Sequence, residues 1–388
     1  MHSDSTANTS PPAGRPPLRV AFVVGGLPFG GVENWLYDLC SRLETRAEDG
    51  PRIEAHVVNV SGTGLKAPEF ERAGFRLSTC GEDKSALKTS NLATLRRVRA
   101  ELRRIRPQVV HTLQFSGDYF GRLGALGLGV PVVTHIRNMK SEKKPRRRLL
   151  NKLLSFVTTH YLAVSRAAAT TIEREHNTAR RPVTVLYNAV EPAKLDVPPH
   201  DLVGLFPAVS GQPRMILGVG RLVEQKNFDK LLRALVLVRE MDPRACVAIV
   251  GEGPEHARLA DLVEELGLCG AVHLEGYVEN AEVPRWLRAA EVLAMPSDYE
   301  GLPVTHVEAM FCGLPAVISE FVPSIEIAPG CSLVSTTKPE SIAEKLLDVL
   351  SNDARREAMR ENALATAQDF TMEKYVRRLN DFYLSLGR

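Results

Sequence analysis

Apolar residues in the first half of the chain fall into short runs separated by stretches with helical spacing. The run over 18–24 ends in two glycines and is typical of a buried strand. The same pattern predicts strands at 53–60, 75–79, 108–112, 131–135, 159–164 and 183–187. Helical spacing predicts helices at 31–46, 90–106, 116–127, 145–157 and 165–176. This alternation indicates a parallel sheet with helices on both faces.

A second alternation follows a proline-rich, weakly periodic segment at 191–213. Strands are predicted at 214–220, 245–250, 271–275, 291–295, 315–319 and 331–335. Helices are predicted at 226–240, 254–266, 303–311, 337–350 and over most of 352–388. We therefore predict a second doubly wound α/β domain. Two such sheets facing each other would leave a cleft at the carboxyl ends of their strands, where ligands bind.

The pattern divides the chain into five parts. Residues 1–17 are rich in Ser, Thr and Pro, which predicts a disordered tail. Residues 18–190 form the first Rossmann-like domain, 191–213 a linker, and 214–370 the second domain. The last helix, within 371–388, is expected to return to the first domain.

Composition narrows the class of protein. Hydrophobic residues make up 44% and charged residues 24%, which excludes a mostly disordered, collagen-like or disulfide-scaffold protein. The six cysteines include no Cys-x-x-Cys pair, so reduced thiols in a cytoplasmic protein are expected. No apolar run reaches the ~18 residues that span a membrane, and the N-terminus has no apolar signal-peptide core.

Charge is unevenly distributed although the net charge is only +3. Residues 1–200 hold 30 Lys/Arg against 18 Asp/Glu, with dense basic runs at 96–106 and 140–152. The second run overlaps leucines and Phe156, a pattern compatible with peripheral contact of 140–156 with an anionic membrane, on its inner face for a cytoplasmic protein. The alternative is a solvated helix whose apolar side faces the core. Without interleaved aromatics or a known motif, no nucleic-acid partner is predicted.

Two candidate phosphate-binding segments follow predicted strands. Gly30 and Gly31 stand between the first strand and the first helix, where the backbone can approach an anion closely. Arg221 and Lys226 stand between the first strand and first helix of the second domain. Two cations beside helix N–H groups suit phosphate oxygens.

A third segment follows an apolar strand and contains two glutamates with seven residues between them. Glu300 ends the loop, and Glu308 falls in the second turn of the next helix. Pro303 suits the first position of that helix. The segment Gly301, Leu302, Pro303 and Val304 could bind an anion at the helix start through its backbone N–H groups, which every member except Pro303 carries. Glu308 lies among apolar residues, and its carboxylate could accept hydrogen bonds from a ribose diol.

Together these motifs resemble the retaining GT-B glycosyltransferases, the family that includes sucrose synthases, glycogen synthases and bacterial mannosyltransferases. The segments that carry the resemblance are GVGRLVEQKNFDKLLRAL, IVGEGPE, LEGYV and YEGLPVTHVEAM within 214–320, and more loosely GGVE, the strand ending at His135, AVSRA and YNAV. The resemblance implies the GT-B fold, two Rossmann-like domains facing across a cleft.

The resemblance also implies roles for residues of the second domain. Arg221 and Lys226 would hold the donor diphosphate, and Glu308 the nucleotide ribose. Glu300 would lie beside the hydroxyls of the donor sugar without acting as a nucleophile. The amides of Gly301 to Val304 would face sugar and phosphate, and Val278 would lie beside the base.

On the first domain, Gly30 and Gly31 would approach the diphosphate, and His135 would orient the sugar. The residue after that histidine is usually Asp, Gly or Ser in the family, and here it is Ile136. His111, at another strand end, is a second candidate.

The expected activity is retaining transfer of a hexose-type sugar from a nucleotide sugar, UDP- or GDP-linked, to a glycan or lipid-linked acceptor. The stretch SEFVPSIE departs from the common Gly-Gly-x-x-Glu and resembles the capsule and exopolysaccharide branch. No cofactor is expected, and without an Asp-x-Asp motif no metal either. A glycoside hydrolase using Glu300 and Glu308, a nucleotide-sugar epimerase and a non-catalytic binding protein stay open as alternatives.

Overall fold

The computed structural model describes residues 17–28, 30–44, 53–137 and 145–386. The predicted tail therefore lies almost wholly outside the described residues, as do Lys140, Lys143 and Lys144 of the second basic run. The described chain forms two parallel α/β sheets, which confirms the predicted fold class.

Each predicted strand of the first half is present and short. The strands are β1 (Leu18–Val24), β2 (Ile53–Asn59), β3 (Arg76–Thr79), β4 (Val109–Leu113), β5 (Val132–Ile136), β6 (His160–Ala163) and β7 (Val183–Val185). The helices between them are α1 (Gly31–Glu44), α2 (Ala67–Arg72), α3 (Leu92–Ile105), α4 (Gln114–Ala125), α5 (Pro145–Leu154) and α6 (Arg166–Glu175). The sheet order is β3-β2-β1-β4-β5-β6-β7, and every pairing is parallel.

The second half repeats this construction. Its strands are β8 (Arg214–Val219), β9 (Ala245–Val250), β10 (Val272–Gly276), β11 (Val292–Met295), β12 (Ala316–Ser319) and β13 (Ser332–Ser335). Its helices are α7 (Phe228–Met241), α8 (His256–Glu265), α9 (Val283–Ala289), α10 (Val304–Phe311), α11 (Pro339–Leu350), α12 (Asp353–Ala367) and α13 (Met372–Ser385). The sheet order is β10-β9-β8-β11-β12-β13.

Several predicted helix starts differ from the structure, and three of them lie beside candidate site residues. Lys226 lies in a 3₁₀ turn (Glu224–Lys226), and α7 begins only at Phe228, because Asn227 between them is left-handed with φ +52°. Pro303 caps α10 rather than occupying its first position. The helix predicted from 116 begins at Gln114.

The last helix packs on the first domain. The chain crosses back where Val190 and Thr371 form an isolated β-bridge. Beyond it, Tyr375 and Leu379 join the buried cluster of Phe22 and Trp35. The Trp35 and Tyr375 rings form an edge-to-face pair with centroids 5.8 Å apart. One face of the first sheet is therefore covered by α1 together with a helix from the far end of the chain.

A second apolar cluster joins the two domains. Tyr161 and Val164 of the first domain share it with Leu302, Met310 and Phe370. Burial of these side chains away from water stabilises the contact between the domains. The strand ends of both sheets then lie close enough for the contacts described next.

Candidate functional site

The loops after β8 and β11 meet at the point where the strand order of the second sheet reverses. Lys226 Nζ lies 2.6 Å from Glu300 Oε1, and their side chains are only 17% and 13% exposed. In open parallel sheets this reversal point is where a crevice forms for ligands. The structure thus brings together two of the predicted site residues, a cation and a carboxylate, at the expected edge.

Asn227 fixes these two loops relative to each other. Its Nδ2 donates hydrogen bonds to the carbonyl oxygen of Pro296 at 2.9 Å and to Asp298 Oδ1 at 2.7 Å. The amide of Asp298 in turn donates to the Gln225 carbonyl at 2.9 Å. A buried side chain amide that bridges two loops restricts their motion, so the Lys226–Glu300 pair is held by its surroundings as well as by its own charges.

Glycines let the loop after β8 lie directly on the loop after β9. A Cβ on Gly251 would stand 2.0 Å from the Gly220 carbonyl oxygen, and one on Gly253 would stand 2.2 Å from the Leu222 carbonyl oxygen. Only glycine permits such an approach of two backbones. Arg221, inside this loop, is exposed, and its side chain makes no hydrogen bond or ion pair in the described part of the chain.

The segment between the two glutamates is buried against the first domain. Gly301, Leu302 and Pro303 are buried, and Val304 begins α10. The Leu302 carbonyl accepts a 2.6 Å hydrogen bond from Asn188 Nδ2 of the first domain. The start of α10 is therefore positioned from both sides of the cleft.

Glu308 stands on α10 in a partly buried position between the domains. No hydrogen bond to its carboxylate occurs among the described residues, although Asp38 of α1 and Lys194 of the linker, themselves an ion pair, are near. Burial raises its pKa from the ordinary 4.5 to about 7, with a further contribution from the charge of Asp38. A desolvated carboxylate without a partner suits a ligand that supplies hydrogen-bond donors.

This raised pKa predicts a pH-dependent cost of keeping Glu308 charged. The folded protein holds the proton more tightly than the unfolded chain, so stability should fall as pH rises from about 4.5 to about 7. Glu308→Gln removes this dependence. Urea unfolding at a series of pH values should show that the free energy of unfolding of the variant rises relative to that of the wild type across that window. Parallel curves for the two proteins would contradict the raised pKa.

On the first domain, Gly30 and Gly31 lie between β1 and α1. A Cβ on Gly30 would stand 2.6 Å from Glu33 Oε2, whereas one on Gly31 would have no atom of the described residues within 4 Å. Glu33 is buried, which raises its pKa, and it accepts a hydrogen bond from Gln114. Gln114, left-handed at φ +64°, also accepts a 3.1 Å bond from the Gly25 amide. The first sheet thus also gathers polar groups at its reversal point, between β1 and β4.

His135 is buried near the end of β5, and its Nδ1 lies 3.2 Å from His111 Nε2. Two residues later, the Arg137 guanidinium stacks 3.9 Å above the Trp35 ring and donates a 2.6 Å hydrogen bond to Asn188 Oδ1. Since Asn188 also bonds Leu302, these side chains join the end of β5 to the start of α10.

The remaining predicted site residue, next to the proposed base, is apolar. Val278 follows the end of β10 and is partly buried against the apolar cluster of the second domain. Its neighbour Tyr277 is 48% exposed. Across the described ranges, no three His, Cys, Asp or Glu side chains group together as metal ligands.

The sequence reasoning did not single out Glu33, Gln114, Arg137, Asn188 or Asn227 as site residues. Glu33 and Asn188 stand inside the quoted GGVE and YNAV segments, so the motifs themselves carried a signal for both. Asn227 likewise stands inside GVGRLVEQKNFDKLLRAL, whereas Gln114 and Arg137 lie in none of these segments. The roles of all three depend on backbone angles or on contacts between distant parts of the chain.

Two family models match the chain. The model described as Glycosyltransferase Family 4 matches residues 29–194, and the model described as Glycosyl transferases group 1 matches residues 207–366. Together they cover most of the chain, one on each domain. Neither these models nor the relatives support a glycoside hydrolase or an epimerase.

Among curated relatives, an uncharacterised glycosyltransferase of Methanocaldococcus jannaschii is 29% identical over 54% of this chain and 56% of its own. The amylovoran biosynthesis glycosyltransferase AmsK of Erwinia amylovora is 29% identical over 45% of this chain and 43% of its own. The chain thus spans about half the length of these relatives.

Among solved structures, Anabaena HepE in complex with UDP superposes with a TM-score of 0.80 at 19% identity. The superposition covers 95% of this chain and 100% of that one. At this identity the likeness establishes the fold, which is that of two Rossmann-like domains flanking a cleft.

Proposed function

Since the chain belongs to the GT-B glycosyltransferases, we propose that it transfers a hexose from a nucleoside diphosphate sugar to an acceptor, with retention of anomeric configuration. The observation that carries this proposal is the Lys226–Glu300 pair at the reversal point of the second sheet. The retained configuration, the donor and the independence from metal follow from the motif resemblance and are part of the proposal.

The chemistry requires positive charge where the leaving group departs. Breaking the bond between sugar and diphosphate builds negative charge on the departing phosphate, which fixed cations and helix-start amides stabilise. We assign this role to Lys226, which pairs with Glu300, to Arg221, which is exposed in the same loop, and to the start of α10 after Glu300. Glu308 then accepts hydrogen bonds from the ribose diol.

We place the attack of the acceptor hydroxyl on the face of the sugar from which the diphosphate leaves. The acceptor oxygen forms the new bond to the anomeric carbon as the old bond to phosphate breaks, and the departing phosphate takes the acceptor's proton. Glu300, held by Lys226, fixes the hydroxyls of the donor sugar and forms no covalent intermediate.

The nucleotide is best sought among UDP, GDP and ADP. The HepE structure was solved with UDP, which favours UDP as the first nucleotide to test. Thermal-shift binding with EDTA present should show a rise in melting temperature with one nucleoside diphosphate, because a ligand of the native state stabilises it by mass action. Lys226→Ala should lose the shift. No shift with any nucleotide would overturn the proposed donor site.

The acceptor is proposed to be a glycan or a lipid-linked glycan in bacterial envelope or exopolysaccharide synthesis, at the cytoplasmic face of the membrane. The motif departures noted above support this, as does the relative that acts in amylovoran biosynthesis. Among the described residues, none of the helices is both long and apolar enough to cross a bilayer. We propose that the chain contacts the membrane through a surface.

Helix α5 offers such a surface. It is held to the first domain by buried Asn151 and Leu154, while Leu149 and Leu153 are 58% and 57% exposed, with Phe156 at 60% just beyond the helix. The exposed cations beside them are Arg146, Arg148 and Lys152. Leu149 and Leu153 of this helix thus face solvent beside exposed cations, an arrangement that suits binding to an anionic bilayer.

Reversing three of these charges should abolish vesicle binding. Each cation near an anionic surface contributes about 1 kcal/mol, so Arg146→Glu, Arg148→Glu and Lys152→Glu combined should weaken partitioning by about 100-fold or more. Co-sedimentation with phosphatidylglycerol vesicles measures it. The matched control reverses exposed Lys88, Arg96 and Arg103 instead. Equal binding by the two triple variants would reject α5 as the membrane contact.

A further inference from the structure

Three buried side chains connect the C-terminal helix to the predicted catalytic histidine. Tyr383 Oη on α13 lies 2.5 Å from His111 Nδ1, and His111 Nε2 lies 3.2 Å from His135 Nδ1. All three residues are at most 2% exposed. The other nitrogen of His135, Nε2, is buried and has no hydrogen-bond partner among the residues that the structure describes.

The sheet explains why the two histidines meet. In the parallel pairing of β4 with β5, His111 stands opposite Val133 and Leu113 opposite His135, so both histidines project from the same face. That face is the one covered by α13. Burial lowers the pKa of His111 to about 3 and that of His135 well below its ordinary value, with the nearby Arg137 charge acting in the same direction. Both rings are therefore neutral at pH 7.

Two neutral imidazoles in a row leave only two consistent directions for the hydrogen bonds. In one, the Tyr383 hydroxyl donates to His111 Nδ1, His111 Nε2–H donates to His135 Nδ1, and His135 carries its hydrogen on Nε2. In the other, each bond is reversed, and the Tyr383 hydroxyl hydrogen needs a different acceptor. The part of the chain that the structure describes offers none. Each direction leaves one buried hydrogen unpaired, that of His135 Nε2 in the first and that of the Tyr383 hydroxyl in the second. A phenol hydroxyl is a stronger hydrogen-bond donor than an imidazole N–H, and an imidazole nitrogen is a stronger acceptor than a phenol oxygen, so the first direction is favoured.

We propose that Tyr383 and His111 are positioning residues that hold His135 as the Nε2–H tautomer, a hydrogen-bond donor to the substrate. The identity of that substrate rests on the proposed function, but the tautomer does not. A nitrogen that carries hydrogen cannot accept a proton, so His135 orients an oxygen of the sugar and does not act as a general base. The Nε2–H left unpaired in the free protein is then satisfied when the donor binds.

Nitrogen-15 NMR of the histidine rings in the free, full chain tests the tautomer without any turnover. The His135 signals are identified by their loss in His135→Asn. We expect Nε2 to have the shift of a protonated ring nitrogen and Nδ1 that of an unprotonated one. In Tyr383→Phe the two shifts should move toward each other as the second tautomer becomes populated. An unprotonated Nε2 in the wild type, or unchanged shifts in Tyr383→Phe, would overturn the proposal.

Substitutions at His111 separate positioning from packing. His111→Gln keeps a donor for His135 Nδ1 and should retain the Nε2–H tautomer and most of kcat. His111→Leu removes that hydrogen-bond donor, so the Nε2–H tautomer should no longer predominate. Its kcat should fall about 10-fold or more, while KM for the nucleotide sugar should change little. Equal kcat losses in the two variants, with the tautomer unchanged in both, would show a packing role only.

The matched control is Tyr161→Phe. Tyr161 is also a buried tyrosine of the first domain, and its hydroxyl donates to the His176 carbonyl, away from the histidine pair. Tyr161→Phe should lower the free energy of unfolding about as much as Tyr383→Phe does, while leaving the nitrogen shifts of His135 and kcat unchanged. If the chain proves not to transfer sugar, the NMR result still decides the tautomer, so the two proposals fail separately.

Discussion

Replacing Lys226 with alanine is expected to lower kcat/KM by about 100-fold or more. This corresponds to a loss of at least about 2–3 kcal/mol of transition-state stabilisation, which is the effect of removing one preorganised donor from a developing anion. The loss has two sources. The leaving diphosphate loses a cation, and Glu300, whose side chain is 13% exposed, loses its partner at 2.6 Å. Initial rates with saturating acceptor measure the effect. Arg221→Ala is expected to lose a similar amount.

The matched control for this variant is Lys230→Ala. Lys230 lies one turn along, 31% exposed and 3.8 Å from Asp298, so its removal takes away a lysine of the same region without touching Glu300. Its kcat/KM should stay within about twofold of the wild type, since exposed ion pairs contribute little. A Lys226→Ala enzyme with the turnover of this control would reject the assignment of Lys226 to the diphosphate.

Gly251→Ala is expected to destabilise the second domain by at least about 3 kcal/mol and to remove nucleotide binding. The residue is at φ +143°, and the added Cβ would stand 2.0 Å from the Gly220 carbonyl oxygen. Relief of that contact must displace the loop that carries Arg221. Thermal unfolding should show a fall in melting temperature of about 6 °C or more.

Gly267→Ala separates the steric contact from the backbone angle. Gly267 is also left-handed, at φ +67°, but a Cβ there would contact nothing within 4 Å. Its cost should be only the strain of an alanine in that region, about 1–2 kcal/mol, with nucleotide binding intact. If the two glycine variants unfold at the same temperature, the close approach of the two loops is not what constrains Gly251.

Short apolar runs were enough to predict the strands, because a strand buried on both faces needs apolar residues almost throughout. The two helices missed, α2 and α9, have six and seven residues and contain a proline at their start, so neither shows a full helical period. Lys226 and Glu300 could be expected to meet, because both follow strands of one parallel sheet. Local sequence patterns do not predict the order of the strands in the sheet, and it is this order that makes the strands before Lys226 and Glu300 neighbours.

The chain from Tyr383 to His135 lies beyond such reasoning for a different reason. Tyr383 and His111 are 272 positions apart, and their contact exists only because the chain returns to the first domain after completing the second. Asn227 is similar, since its importance depends on a left-handed backbone and on a loop about 70 residues away. Motifs identify residues that touch ligands, whereas the residues that hold those in place are spread over the fold.

The return of α13 to the first domain has a consequence for how the protein is made. About 190 residues separate the last strand of the first sheet, β7, from the start of α13. At about 5–20 residues per second, a ribosome needs about 10–40 s to translate that distance. Throughout that interval the apolar face around Phe22 and Leu113, which α13 later covers, stays open on the nascent chain. The first domain to emerge is therefore the one whose core closes last, and nascent-chain chaperones would find their substrate there.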